Sequence, residues 1–232
     1  MSGPDWPGEE RRRPPLTSPT WAVRAPLAAW LQEHAGRGDG YRVLDVGCGP
    51  KPYYPFFADR ASEYVGVDVV ENPAADLRGS VEDLPVDDAS FDLVLCTQVL
   101  EHCDDPAQAV RELRRVTAPG GRVLASTHGT QVYHPSPQDY WRWTHAGLTR
   151  LFEEQADWQS VEVGPGAGTA TTMAMLLGTY VEIALRRTPL AKPPVWLLNR
   201  AGAALDARSK QLRDPVPGSL IANFHVVATV AP

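Results

Sequence analysis

An apolar segment that runs directly into two glycines constrains this chain more than any other feature. Residues 43–50 are VLDVGCGP, with Asp45 before Gly47 and Gly49. In a doubly wound α/β sheet such a turn lies at the carboxyl edge of the first strand, where ligands bind, and glycine lets a ligand approach the backbone. Taken alone, the pair fits a tight strand-to-loop turn equally well. Evidence for such a sheet must therefore come from the rest of the sequence.

Strand-length apolar segments alternate with helical periodicity along the sequence. Helices are predicted at 20–34, after Asp105-Pro106, after Thr144 and over 171–204. Strands that read as continuous Val/Leu runs between helices are typical of a parallel sheet covered on both faces. We therefore predict a Rossmann-like α/β fold with a seven-stranded, mostly parallel sheet and helices on both faces. Its strands are expected at 41–46, 64–69, 76–81, 91–97, 122–127, 158–163 and 224–230.

The length of 232 residues suits one α/β domain. Residues 1–18 are crowded with Pro, Gly and charge and have no apolar period, so a disordered arm is predicted there and a single domain over 19–232. Residues 171–214 are predicted to form a helical insertion. It would serve either as a lid or as a homodimer interface.

Composition narrows the classes of partner. A net charge of −6 would repel a phosphate backbone, so nucleic acid is not expected as a substrate. Cys48, Cys96 and Cys103 form no CxxC pair, which suits a reducing cytoplasm. No signal peptide is recognisable, and the apolar segment 167–185 is too interrupted by polar residues to predict a membrane span. A cytoplasmic protein with small-molecule partners is expected.

Further motifs follow the glycine turn in order. Asp68 closes the second strand about 20 residues later, where such folds present a carboxylate to a ribose. DLP at 83–85, SFDLV at 90–94, LEH at 100–102 and PGG at 119–121 come next. Over residues 41–127 the chain resembles the class I S-adenosylmethionine-dependent methyltransferases of the type 11-like family. A nicotinamide enzyme is disfavoured because Pro50 and Lys51 follow the turn, where GxGxxG would open a helix.

The resemblance implies that S-adenosylmethionine is the cofactor and which residues bind it. Ser80 stands where the family often has an aspartate that accepts from the adenine amino group, so that contact is expected to be weaker or supplied elsewhere. The implied cofactor residues, from the amino acid end through the ribose to the adenine and the methyl group, are Asp45, Gly47, Cys48, Gly49, Asp68, Val69, Ser80, Val81 and Gln98.

Glu101 and His102 resemble a metal pair of some family branches, in which an earlier acid and a later histidine complete a site for a divalent ion such as Mg²⁺. Gln98 replaces that earlier acid here. Because the LEH motif also occurs in branches without metal, a metal-assisted and a metal-free site both stay open.

Residues 128–144, HGTQVYHPSPQDYWRWT, form the most individual segment, which we call the acceptor segment. Its dense set of imidazole, carboxylate, guanidinium and indole groups follows the fifth strand, where side chains can cover an acceptor. The pattern resembles bacterial methyltransferases of glycan and natural-product clusters. His134 or His128, held by Asp139, is predicted to remove the acceptor's proton, and Trp141 and Trp143 to stack on a sugar.

Three hypotheses follow from these observations. The first is an O-methyltransferase for a hydroxyl of a sugar or oligosaccharide precursor, such as a mannoside. The second is a methyltransferase for another small metabolite, through oxygen or nitrogen. The third is a cofactor-binding protein without catalysis.

Overall fold

The computed structural model describes residues 6–135, 138–185 and 188–232. One seven-stranded sheet has the order β3-β2-β1-β4-β5-β7-β6. Strand β7 is antiparallel to β5 and β6, and the other neighbouring pairs are parallel, which confirms the predicted fold. The strands are β1 (Tyr41–Val46), β2 (Ala61–Asp68), β3 (Leu77–Arg78), β4 (Phe91–Thr97), β5 (Thr117–His128), β6 (Ser160–Pro165) and β7 (Asn223–Thr229).

Helices cover both faces of this sheet. Alternation along the strands divides the core in two: Val94 and Cys96 pack with α4 and α5 on one face, and Leu93 and Leu95 pack with α2 and α3 on the other. The helices are α1 (Glu9–Arg12), α2 (Trp21–Ala35), α3 (Tyr54–Phe57), α4 (Pro106–Val116), α5 (His145–Gln155), α6 (Thr169–Ala184), α7 (Lys192–Arg208) and α8 (Lys210–Arg213).

The two predicted helix starts that flank β5 are confirmed by their caps. The Asp105 side chain accepts from the Gln108 amide at 3.0 Å, with Pro106 in the first turn. The Thr144 side chain accepts from the Gly147 amide at 3.0 Å. The first cap fixes where α4 begins after β4. The second fixes where α5 begins after the acceptor segment.

Several elements differ from their predicted bounds. Strand β5 begins at Thr117, because Thr117 pairs with Phe91 of β4, and the PGG segment lies in the register shift before Arg122 pairs with Leu93. The helical segment predicted over 171–204 is a hairpin of α6 and α7, joined in part by a 3-10 turn at Pro189–Ala191. The connection between β2 and β3 carries turns and bends only.

The N-terminal arm is packed, so the prediction of disorder is wrong for residues 6–18; residues 1–5 lie outside the described residues. Trp6 donates to the Lys51 carbonyl at 2.8 Å, and its ring lies 4.6 Å from that of Tyr54. Asn199 of α7 donates to the Leu16 carbonyl at 2.8 Å. The arm has no apolar period because it forms no layer of its own and instead lies along the segment after the glycine turn.

Among the described helices, none combines the length and the apolarity that crossing a bilayer requires.

Candidate active site

The glycine turn lies at the carboxyl end of β1, between β2 and β4. Gly47 and Gly49 have φ angles of 65° and 50°, in the left-handed region that disfavours side chains. A Cβ on Gly47 would lie 2.4 Å from Val99 Cγ2, so the backbone passes directly against the segment after β4. The Gly49 amide donates to Asp68 Oδ2 at 2.9 Å and ties the turn to the end of β2.

Asp45 is buried beside this turn and accepts a 2.7 Å hydrogen bond from the Tyr64 hydroxyl. Burial raises the pKa of Asp45 to about 7, although Tyr64 and Lys51 oppose the shift. A cationic amino group beside this acid would favour its ionised form. The position therefore suits the amino acid end of the implied cofactor.

A cavity of about 180 Å³ opens between the turn and the ends of β3 and β4. Gly47, Val69, Ser80 and Val81, which were predicted to contact the cofactor, line it together with His102. The structure therefore brings the predicted ribose and adenine residues to one cavity, and it connects that cavity to the histidine after β4.

The side chains of Cys48 and Gln98 have other partners. Cys48 Sγ packs under β2, 2.8 Å from where a Cβ on Gly66 would lie, and burial raises the pKa of its thiol to about 12. Gln98 Nε2 donates to Ser126 Oγ at 3.1 Å and to Asn223 Oδ1 at 2.8 Å. Gln98 thus joins β4, β5 and β7, and the Cys48 thiol is directed into the core.

Glu101 is buried at the end of β4 and accepts a 2.8 Å hydrogen bond from Thr127. Its Oε1 lies 3.2 Å from His128 Nε2, but not in hydrogen-bonding geometry. Among the described residues, neither Glu101 Oε1 nor His128 Nδ1 has a hydrogen-bond partner. Burial raises the pKa of Glu101 to about 7 and lowers that of His128 to about 3, so His128 is neutral at physiological pH.

Three imidazoles meet where β4 and β5 end. The ring of His134 lies 5.1 Å from that of His128 and 5.2 Å from that of His102. His102 Nδ1 is 2.6 Å from the Gln138 carbonyl, which leaves Nε2 as the ring atom without this bond. Burial also lowers the pKa of His102. The predicted bases His128 and His134 are therefore neighbours, and His102 joins them.

Asp139 was predicted to hold the imidazole of the base. The structure shows that it binds the backbone amide of His134 instead. Its Oδ2 accepts from the His134 amide at 3.1 Å. Arg142 donates to both Asp139 oxygens, at 2.5 and 2.6 Å, and holds the pKa of Asp139 well below its usual range. This bidentate pair fixes the acceptor segment at a point near the three histidines. Residues 136 and 137 of the segment lie outside the described residues.

The two indoles of the segment stack on each other, with ring centroids 5.7 Å apart. Trp141 Nε1 donates to the Cys103 carbonyl at 2.8 Å. Trp143 packs against the core. The structure thus shows an anchoring contact for each ring.

The ligand atoms of His128, His134 and Asp139 all lie within 4.8 Å of one another, and the predicted metal pair Glu101 and His102 is outside this set. The set fits a cation poorly, because Arg142 already occupies both oxygens of Asp139. A divalent ion there would lie close to the guanidinium charge. These residues therefore do not fit a divalent ion, and no step of the reaction is assigned to one.

A larger cavity, of about 420 Å³, lies between α6 and the segment 211–219. Its lining residues are uncharged and supply neither acid nor base. The cavity at the glycine turn is smaller, but it has the titratable groups that chemistry requires.

Several residues that shape the site were missed in the sequence. Tyr64 and Thr127 hold the two buried acids Asp45 and Glu101, and Asn223 of the last strand reaches Gln98. Each lies on a strand among apolar residues, and no local pattern marks it. Arg142 lies in the acceptor segment, but the sequence does not show that Asp139 is its partner.

Replacing Glu101 by glutamine should stabilise the protein increasingly as the pH rises. The pKa of Glu101 is about 7 in the fold against an ordinary 4.5, so its proton stabilises the fold fully below pH 4.5, and this contribution is lost as the pH rises through 7. Relative to wild type, Glu101→Gln should gain up to about 3 kcal/mol of unfolding free energy between pH 5 and 8. Urea denaturation at both values measures it.

Glu112→Gln is the matched control with the opposite sign. Arg115 lowers the pKa of Glu112, so this acid stabilises the fold above its ordinary pKa, and its replacement should cost more at pH 8 than near pH 4. An unfolding free energy difference for Glu101→Gln that does not change with pH would show that Glu101 is ionised throughout.

The strand order, the glycine turn with Asp68 and the cavity beside them are together typical of α/β proteins that bind a nucleoside cofactor at the sheet edge. A family model described as "Methyltransferase domain" matches residues 44–125. A relative from Mycolicibacterium smegmatis, named "probable S-adenosylmethionine-dependent methyltransferase", is 33% identical over 191 residues, 71% of this chain and 74% of its own length.

Two further comparisons agree with this one. The malonyl-[acyl-carrier protein] O-methyltransferase of Erwinia pyrifoliae is 42% identical over 111 residues, 42% of this chain and 41% of its own length, so the chain spans less than half of that relative. Phosphoethanolamine N-methyltransferase 2 of Haemonchus contortus, solved with S-adenosyl-L-methionine, shares the fold with a TM-score of 0.57 at 17% identity, over 97% of this chain and 60% of that one.

The chain belongs to the S-adenosylmethionine-dependent methyltransferases. It is an enzyme, and S-adenosylmethionine is its cofactor.

Proposed function

We propose that the enzyme methylates a hydroxyl oxygen of a small polyhydroxylated acceptor, a sugar or an oligosaccharide precursor such as a mannoside. The carrying observation is the pair of buried atoms without partners among the described residues, Glu101 Oε1 and His128 Nδ1. Each such atom costs about 1–3 kcal/mol when it stays unpaired. An acceptor with several hydroxyl groups would supply donors and acceptors to them.

His134 is the proposed general base. His128 is a poor one, because burial lowers its pKa to about 3, far below the operating pH. His134 lies beside it, and Asp139 fixes its backbone. When bound, S-adenosylmethionine supplies a methyl group that its sulfonium has already activated. His134 would take the hydroxyl proton as the new oxygen–carbon bond forms and the methyl–sulfur bond breaks, which leaves the neutral thioether S-adenosylhomocysteine. His134 would then release that proton to water.

The cofactor residues are proposed from the same geometry. The Gly47–Gly49 turn and Asp45 would hold the amino acid end, Asp68 and Val69 the ribose, and Ser80 with Val81 the adenine. Cys48 and Gln98 would contribute through their backbone.

An acceptor panel tests the proposed reaction. Sugars, mannosides, phenols, carboxylic acids and amines are incubated with the enzyme and cofactor carrying an isotope-labelled methyl group, and products are read by mass spectrometry. Label on a sugar hydroxyl supports the proposal. Label only on an amine or on another metabolite would replace it with the second hypothesis. Binding of S-adenosylhomocysteine without labelling of any acceptor class would favour a cofactor-binding protein without catalysis.

Chelation should leave turnover unchanged. Because Arg142 neutralises Asp139 directly, the site is expected to need no divalent ion. The measurement is the initial rate after dialysis against EDTA, with and without added Mg²⁺. A rate that falls on dialysis and returns with Mg²⁺ would restore the metal-assisted site.

A further inference from the structure

Helix α6 exposes an apolar stripe. Met173, Leu177, Tyr180 and Ile183 recur at helical spacing on one side, and each is at least 50% exposed. On the rest of the hairpin, Leu190, Trp196 and Leu197 are exposed as well. We call these seven residues the hairpin surface. Apolar side chains exposed together in this way are typical of an interaction site.

The hairpin buries its small residues and exposes its large ones. A Cβ on Gly178 would lie 3.7 Å from the Val195 methyl groups, and a Cβ on Gly202 would lie 2.9 Å from the Ala170 carbonyl oxygen. Asp206 of α7 accepts from the Ala170 and Thr171 amides at 3.0 Å and closes the start of α6. The two helices therefore leave no room between them for the large side chains, and these face outward.

The charge of this segment is opposite to that of the whole chain. Between Glu182 and Asp206 the sequence has four cations and no acid, although the chain carries a net charge of −6. The Arg200 guanidinium lies 5.5 Å over the Trp196 ring. Cations beside exposed aromatic and aliphatic side chains are typical of helices that lie in a lipid headgroup region. Of these cations, Lys192 and Arg200 lie among the described residues, and Arg186 and Arg187 lie outside them.

We propose that the α6–α7 hairpin is a docking surface for an anionic lipid bilayer, with its helices lying in the headgroup plane. A second copy of the chain fits less well, because a two-fold contact through the same surface would bring like charges together. Helix α6 also contacts the acceptor segment through its buried side, where Gln131 Nε2 lies 3.6 Å from Met175 Sδ. Docking would place the active-site edge beside the membrane, whichever acceptor the enzyme uses.

Vesicle sedimentation tests the proposal with the full chain. Wild-type protein should bind vesicles of phosphatidylcholine with about 30% phosphatidylglycerol at least about tenfold more tightly than pure phosphatidylcholine, and salt should weaken the binding. Ile183→Glu should lower binding to the anionic vesicles about tenfold or more. Gln159→Glu adds the same charge at the opposite edge of the sheet, just before β6, and should bind like wild type.

Both variants should keep the thermal shift that S-adenosylhomocysteine induces, because both positions are exposed and outside the active site. Equal binding of wild type to the two vesicle types, or no binding, would overturn the proposal. So would Ile183→Glu binding like Gln159→Glu. A dimer that Ile183→Glu dissociates, without vesicle binding by wild type, would assign the surface to a second copy instead.

Discussion

Replacing His134 by alanine is expected to lower kcat for methyl transfer to an alcohol by about 10²–10⁴-fold, the usual contribution of a positioned base. The ring stands in the imidazole cluster, and the neighbouring His128 is too weak a base to replace it. Cofactor affinity should not change, since His134 does not line the cavity at the glycine turn. Rates with labelled cofactor, and calorimetry with S-adenosylhomocysteine, separate the two effects.

The matched control is His145→Ala, which removes an imidazole whose ring atom lies 3.0 Å from the Val163 carbonyl oxygen, outside the cluster. It should keep most of the wild-type turnover. Added imidazole should restore part of the activity of His134→Ala, which a purely structural role would not explain. Full activity in His134→Ala together with loss in His128→Ala would transfer the base to His128.

Gly47→Ala should abolish binding of S-adenosylhomocysteine and lower the unfolding free energy by about 2–5 kcal/mol. The φ angle of 65° is costly for alanine, by about 1–2 kcal/mol. The new Cβ would also lie 2.4 Å from Val99 Cγ2, and such overpacking adds about 1–3 kcal/mol. Relief requires movement of the turn or of the segment after β4, both of which line the cavity proposed for the cofactor.

Gly40→Ala isolates the cost in unfolding free energy of the left-handed backbone conformation. Its φ angle is 74°, and no atom lies within 4 Å of an added Cβ. This variant should lose about 1–2 kcal/mol and bind the cofactor product normally. Equal destabilisation in the two variants would show that the Val99 contact relaxes without cost, and normal binding in Gly47→Ala would remove the turn from the cofactor site.

Short-range pattern predicted most of the fold. Strands β1 and β4 have the predicted bounds, and the caps at Asp105 and Thr144 lie where the side chains indicate. Bounds failed where tertiary contacts decide them. At the start of β5, pairing with β4 extends the strand through glycines that by themselves signal a stop. In 171–204, a turn divides one helical pattern into two packed helices.

The sequence predicted which residues belong to the candidate site, but not which of them contact one another. His128, His134 and Asp139 were chosen for their chemistry, and the structure does bring their ligand atoms together. It also shows that Asp139 pairs with Arg142, and that Glu101 Oε1 lies 3.2 Å from His128 Nε2. Spacing alone could not distinguish these arrangements, because all the residues concerned lie on loops or strand ends whose approach depends on the whole sheet.

By itself, the sequence determined the glycine turn, the alternation of strands and helices and the class of cofactor, since these depend on neighbours within a few residues. Only the tertiary structure decided which histidine is buried and neutral, where the arm lies, and which side of the hairpin faces outward. Such properties rest on contacts between distant residues, as between Asn199 and Leu16, which are 183 positions apart. Burial and charge at those contacts come from the assembled fold, and no local segment carries them.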